Sequence, residues 1–299
     1  NHSPCIASLS TYPEIPFRPM RKNSARWTRL TEWEHWPTYI YYVPLLPFFF
    51  MRFLKEGHPN HYLTANPGIP YSGNGTESKF NTLSLVPEKY RPMSLLATPE
   101  NRKDLEKKLE ELGLSFPLIV KPDRGFRGYL VKKIDSAQAL TKYLNQVQTD
   151  VLIQEFIPYS KELGIFYHRY PGQDRGQVTS VTIKEFLKVV GDGSKTIEEL
   201  IHDDSRAYLY ADLFTRIHRQ QIDRVLEPGE ELVLSVIGNH SKGTRFVNVN
   251  HLINPEHNAF MDRICKPMMG FYYGRLDIKY ENHEQLLKGE AIKVIEVNG

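Results

Sequence analysis

An α+β fold in two or three lobes is what this sequence predicts, and three observations predict it. Helix-like and strand-like segments alternate between residues 98 and 157. From Lys161 onward the apolar runs are mostly strand-like and grouped, as in hairpin-linked sheets rather than a βαβαβ dinucleotide fold. At 299 residues the chain is also long enough for a large core and more than one lobe.

The elements follow in order. Residues 1 to about 75 are rich in Pro and aromatics and show no helical repeat, so they read as a compact N-terminal lobe ending in a turn at Gly73 and Gly75. Within it, "YIYYVPLLPFFFMRFL" (39–54) falls short of the ~20 apolar residues of a spanning helix, and Pro44 and Pro47 interrupt it. A buried aromatic helix or one wall of a substrate cleft is the expectation for the segment from Trp33 to Phe53, with peripheral membrane contact as the minor alternative. "TPENRKDLEKKLEELG" predicts a helix capped by Thr98, with Pro99 in the first turn, Leu105, Leu109 and Leu112 on one face and Gly113 as its stop. "FPLIVK" and "YLVKKI" read as strands around the turn "PDRGFRG", "DSAQALTKYLNQVQ" as a helix and "VLIQEFI" as a buried strand. Beyond Lys161 come the strands "ELGIFYHRY", "QVTSVTIKEFLKVV", "ELVLSVI" and "RFVNV". Helices are expected at "KTIEELI", from Ser205 to about Gln221, and at "NPEHNAFMDRICKPMM", where Asn254 caps and Pro255 opens.

Composition excludes several classes of function. The net charge of +3, from 38 basic and 35 acidic residues, is too small to argue by itself for nucleic acid or an anionic membrane. Two distant cysteines, Cys5 and Cys265, with no CxxC or HExxH spacing, argue against a disulfide framework and a zinc site. A reducing, cytoplasmic setting is therefore expected. No GxxxxGK(S/T) loop, no GxGxxG after a strand and no GxSxG elbow is present.

Two stretches carry chemistry. In "IVKPDRGFRG", Lys121 ends a strand above a turn in which Gly125 and Gly128 let backbone N–H groups approach an anion, with Arg124 and Arg127 adding charge. Alone, this is better read as a basic hairpin turn in water. In "GRLDIKYENHEQLLKGEAIKVIEVNG", both apolar runs alternate at period two, so Arg275 and Asp277 share one strand face and Glu296 and Asn298 share another. The short polar connection predicts antiparallel pairing, which gathers two carboxylates, an amide oxygen and a guanidinium on one patch. Hard oxygens of this kind hold Mg²⁺, the metal bridges phosphates, and nearby cations balance charge on a transferred phosphoryl group.

With these residues in view, residues 75 to 299 resemble the ATP-grasp superfamily. "FPLIVKPDRGFRG" and "GRLDIK…IKVIEVNG" resemble segments of D-alanine–D-alanine ligases. "VVGDGSKTIEELI" with "GNHSKGTRF…NPEHN" is similar to the ATP-grasp part of cyanophycin synthetase. The resemblance implies an ATP-grasp fold: an N-terminal lobe over 1–75, a first lobe over 76–158 with phosphate loop and hinge, and a second over 159–299. D-alanine ligases continue past the Asn with residues for the acceptor carboxylate, so the second lobe is expected to be incomplete at Gly299. The aromatic N-terminal lobe does not resemble theirs, and D-alanine is not implied.

By the same resemblance Lys79 and Lys121 bind nucleotide, the latter at the α/β-phosphates, with Arg124, Gly125, Arg127 and Gly128 in the loop. Gln154, Glu155, Phe156 and Ile157 form the hinge that holds adenine, and Glu162, displaced by one extra residue, matches the ribose acid. Arg275 steadies the transferred phosphoryl group, while Asp277, Glu296 and Asn298 ligate Mg²⁺, or Mn²⁺ in its place. Lys184, Arg245 and Ser241 admit both a phosphate-facing and a surface reading. The implied activity is an ATP-dependent carboxylate–amine ligation through an acylphosphate, with small carboxylic acid and amine substrates such as amino acids. Carboxylate–thiol ligation, or nucleotide binding without turnover and with the aromatic lobe recruiting a partner or membrane, are the alternatives.

Overall fold

The computed structural model describes residues 36–37, 39–73, 75–125, 130–239 and 242–299. Among these, nine strands fall into two antiparallel sheets. The smaller has the order β1-β4-β2-β3, from β1 (Ser94–Ala97), β2 (Leu118–Pro122), β3 (Lys132–Ile134) and β4 (Val151–Glu155). The larger has the order β11-β10-β5-β6-β9, from β5 (Lys161–His168), β6 (Gln177–Glu185), β9 (Arg245–Asn248), β10 (Tyr273–Tyr280) and β11 (Ile292–Asn298). A two-stranded ribbon of β7 (Lys188–Val190) and β8 (Glu231–Val233) stands apart.

Each sheet buries the apolar face that its alternation sets. In the smaller sheet Leu118, Val120, Val151 and Ile153 pack with Leu105 and Leu109 and with Leu140 and Tyr143. In the larger sheet Leu163, Ile165, Leu276 and Ile278 are fully buried against Phe260, Met261 and Ile264 of a helix at Pro255–Cys265, which Asn254 caps through Glu256 N and His257 N. This leaves the opposite face of the larger sheet, with Glu162, Asp277 and Lys184, turned toward the smaller sheet. A third cluster, around Ile197, Ile201, Phe214 and Leu226, packs behind the β7–β8 ribbon.

Several expected elements change in extent. Helix Leu105–Glu111 is preceded by a 3-10 stretch at Pro99–Asp104, capped by the reciprocal Thr98–Asn101 pair, and Leu112 is exposed. The strand expected over "YLVKKI" forms ladder only at Lys132–Ile134, and the one over "ELVLSVI" only at Glu231–Val233. The helix expected from Ser205 breaks into a 3-10 turn at Ala207–Tyr210 and a helix at Ala211–Ile217. The polar link 281–291 is itself helical at His283–Lys288, because Asn282 caps it and Leu286 gives it a buried anchor. Residues 79–90, expected in the first lobe, pack on the second: Leu83, Val86 and Tyr90 join the larger sheet's core.

The aromatic segment departs most from expectation. The helix Leu46–Glu56 has no buried residue, and neither has the turn Tyr39–Tyr42 before it. Phe48, Phe50 and Met51 are 61%, 59% and 68% exposed. The segment is therefore neither core nor a wall of the cleft between the sheets. Trp33 lies outside the described residues.

Candidate functional site

The two sheets face each other across a cleft of about 280 Å³. From the smaller sheet it is lined by Ile119, Lys121, Gln154 and Glu155, with Phe156 and Ile157 just beyond, and from the larger by Glu162, Lys184, Arg275, Lys279, Glu296 and Asn298. Lys79 and Gly125 close one end, and the segment Val236–Asn239 closes another.

The geometry starts in the pairing of β10 with β11. Arg275 lies opposite Asn298 and Asp277 opposite Glu296, so the two carboxylates face each other across the ladder on the cleft side. Strict alternation along β11 would put Glu296 on the same face as Ile292 and Val294, which are buried. A bulge between Asp277 and Ile278 resolves this: Val294 pairs with Ile278, Glu296 with Asp277, and Ile295 is left over. Val297 then takes the core position, and its neighbours Glu296 and Asn298 turn to the cleft.

The bulge also frees a carbonyl. Lys121 reaches across from β2 and donates to Ile295 O at 3.1 Å, the one bond its Nζ makes among the described residues. Burial pushes the Lys121 ammonium below the usual lysine value, and the Glu296 carboxylate offsets only part of that. It is a buried cation held by one neutral oxygen, which suits an anion.

Lys184 is bound quite differently. It lies between Glu162, with which it makes a short contact, and Asp277 Oδ2 at 2.8 Å, while Arg275 Nε binds Asp277 Oδ1 at 2.9 Å. Burial disfavours the Lys184 charge, but Asp277 and Glu162 outweigh it and the net shift is upward. Burial likewise works against the Asp277 carboxylate, yet Lys184 and Arg275 hold it below the usual range. Glu162 is raised, burial outweighing Lys184. Such a buried cluster roughly breaks even against apolar residues of the same shape, so stability alone does not account for it. It orients Asp277.

Two glycines make room for this arrangement. A Cβ on Gly164 would come within 3.1 Å of Arg275 Cδ and 3.3 Å of Asp277 Oδ1, so the side chains cross β5 only over a bare backbone. A Cβ on Gly238 would stand 2.6 Å from Glu162 Oε1, so any larger residue there would push the carboxylate away from its contact with Lys184.

The structure brings Lys79, Lys121, Gly125, Gln154, Glu155, Phe156, Ile157, Glu162, Lys184, Arg275, Glu296 and Asn298 into one cleft lining, with Asp277 directly behind. Lys79 Nζ donates to Gly125 O at 2.8 Å and Asp123 O at 3.2 Å, tying it to the glycine turn. Two expected residues stay outside. Arg124 is exposed and donates to Thr76 O, and Arg245, on the edge strand β9, pairs with Glu185 at 3.5 Å. Arg127, Gly128 and Ser241 lie outside the described residues. Lys279 went unpredicted, although it follows Asp277 by two on the same strand face, a spacing that identifies it. Its Nζ donates to Tyr159 O at 3.1 Å and sits over Phe156 and Phe186.

Residues 76–166 match the RimK-like ATP-grasp domain. Over those residues the chain is similar to an ATP-grasp domain. Solved structures similar to the chain include VanG D-Ala:D-Ser ligase from Enterococcus faecalis, at 17% identity over 74% of this chain and 51% of that one, TM-score 0.43. D-alanine–D-alanine ligase from Bacillus anthracis is similar at 14% identity over 74% and 55%, TM-score 0.42. L-amino acid ligase from Bacillus licheniformis is similar at 16% identity over 85% and 46%, TM-score 0.41. The chain spans about half the length of these structures. Among the curated proteins nothing matches.

For a metal, the cleft offers two carboxylates and an amide. Among the described residues no three His, Cys, Asp or Glu side chains converge, so the donor set is Asp277 and Glu296 plus Asn298. The amide would ligate through Oδ1, and its Nδ2, a buried donor without a partner among the described residues, is left for an acceptor on a ligand such as a phosphate oxygen. Few protein oxygens and room for retained water fit Mg²⁺, which dehydrates reluctantly.

Proposed function

We propose that the protein is an ATP-dependent carboxylate–amine ligase working through an acylphosphate. The observation that carries the reading is the convergence on one cleft of Lys121 from the smaller sheet and Arg275, Asp277, Glu296 and Asn298 from the larger. Lys121 and Lys79 bind the nucleotide phosphates, and the Gln154–Ile157 stretch takes the adenine through its backbone. Glu162 takes the ribose. The ATP-grasp fold alone does not choose a substrate, but it does bear on what these side chains are for.

Asp277, Glu296 and Asn298 would hold Mg²⁺, whose charge offsets that of the phosphates. The exposed edge of Arg275, anchored through Nε on Asp277, faces the transferred phosphoryl group. The substrate carboxylate oxygen attacks the γ-phosphorus and ADP leaves. The amine nitrogen then attacks the acyl carbon, the amide forms, phosphate departs and the amine loses a proton to solvent. The protein contributes position and charge balance rather than covalent chemistry. A cytoplasmic setting, where ATP is supplied, belongs to this reading.

The test is turnover of ATP against a pool of amino acids and small carboxylic acids, with products read by mass spectrometry. ADP and phosphate are expected, and an acid labelled with ¹⁸O in its carboxylate should pass one label to phosphate. AMP with pyrophosphate would sink the acylphosphate route.

A further inference from the structure

The helix Leu46–Glu56 and the turn before it leave a continuous run of large apolar side chains in solvent. We propose that this segment is a monotopic anchor that seats the protein on an anionic lipid surface.

The run from Trp36 to Met51 holds no acidic or basic residue. Along the helix the exposed side chains are Leu46, Phe48, Phe49, Phe50, Met51 and Leu54. At about 100° per residue they leave no arc wider than about 100° without one. A protein groove covers a single stripe of a docked helix. Arg52, Lys55 and Glu56 share one arc of about 100°, and the apolar side chains spread over the rest, wider than a groove's stripe, as in a helix lying in a lipid surface with its charged face outward. Exposed apolar patches on this scale are rare unless they meet a partner.

Length and charge set how it sits. Eleven residues rise about 16 Å, roughly half of the ~30 Å hydrocarbon layer, and among the described residues no helix is long and apolar enough to cross a membrane. The segment therefore enters one leaflet. Trp36, Tyr39, Tyr41 and Tyr42 stand at its start, the residue types that favour the headgroup boundary. At its other end Arg52 pairs with Glu56 at 3.0 Å and Lys55 stands exposed, a cation placed for anionic headgroups. Residues 1–35 add Arg18, Arg21, Lys22, Arg26 and Arg29 against Glu14, Glu32 and Glu34.

The anchor is fastened to the body of the protein. Gly57 ends the helix, and nine residues later Asn66 is buried, its Oδ1 accepting from Tyr272 N and Tyr273 N at 2.9 and 3.0 Å and its Nδ2 donating to Tyr273 O at 2.7 Å. Seating the helix in lipid thus fixes the larger sheet, whose β10 begins at Tyr273, close to the membrane surface.

The test is co-sedimentation of the full chain with vesicles of phosphatidylcholine, alone or mixed with phosphatidylglycerol. All three tryptophans (Trp27, Trp33 and Trp36) precede the helix, so quenching by brominated phosphatidylcholine reports this region alone. The wild type is expected to sediment best with the anionic mixture and to be quenched. Phe48→Ser/Phe50→Ser/Met51→Ser should weaken partitioning about tenfold or more at an unchanged circular-dichroism melt. Absence of both sedimentation and quenching in the wild type overturns the proposal. So does a well-folded triple variant that binds as before. A lipid-independent dimer that the serine variant dissolves, without vesicle binding, would assign the face to a second copy. If the triple variant loses its melt, Phe50→Ser and the wild-type quenching decide the matter.

Discussion

Two buried lysines face each other across the cleft, one from each sheet, and the molecule treats them in opposite ways. Lys121 and Lys184 are 8% and 6% exposed. Lys121 has one carbonyl for company and its pKa is pushed down by burial; Lys184 has two carboxylates and its pKa is held up against burial. Burial alone therefore does not say what a charge is for. A buried cation that bonds no carboxylate, and whose nearby carboxylates do not outweigh burial, is a receptor for an anion, and one bonded between two carboxylates is part of the frame. His257, in the helix behind the larger sheet, is the third case. It has no counter-charge and no partner on Nε2, and burial, with His283 second, pushes its pKa down to about 4.

The contrast can be broken at four points. The largest effect is expected for Lys184→Met, which strands Glu162 and Asp277 in the interior and should destabilise the fold by about 3–5 kcal/mol in urea titrations. A change under about 1 kcal/mol would mean that the cluster is not the frame described. Glu296→Gln keeps shape and removes one charge, so it should fold normally, retain nucleotide in part and lose about 10²–10³-fold in ADP release. Near-normal turnover would leave β10 and β11 as a solvated sheet face. Lys121→Ala should weaken ATP binding by about 1.5–3 kcal/mol in calorimetry, the range of a hydrogen bond to a charged group. Unaltered affinity would make Lys121 a frame residue like Lys184.

The smallest effect is a pH slope at His257. The native ring stays neutral down to about pH 4, whereas an ordinary histidine titrates near 6.5. Between those values the unfolded chain binds a proton that the native one does not, so stability falls as pH drops, by up to about 1.4 kcal/mol per pH unit. Above 6.5 the group adds nothing to the slope. His257→Gln should flatten melting-temperature profiles in that window, and an unchanged slope would show that the ring is charged when folded.

Much of this was legible in local pattern. Caps at Asn254 and Thr98, the strand before Lys121 and the antiparallel pairing of Arg275–Asp277 with Glu296–Asn298 all follow from signals a few residues long. Lys279 was legible too, two residues beyond Asp277, and went unread for want of a partner in the sequence.

What the amino-acid order determined by itself was which residues share a strand face, because side-chain direction has a period of two and needs no distant partner. It also determined that residues 36–51 carry no charge. Whether that run would be buried depended on the rest of the chain, and in the described structure it is not. Tertiary structure likewise decided where the alternation slips. The bulge at Ile295 exists because β11 must put Val294 and Val297 into one core while Glu296 stays opposite Asp277, a condition set by the neighbouring strand. The union of Lys184, Glu162 and Asp277 joins three strands, and Arg245 leaves the site because β9 lies at the sheet's edge. Strand order is a property of pairing across the whole lobe, and no local period encodes it.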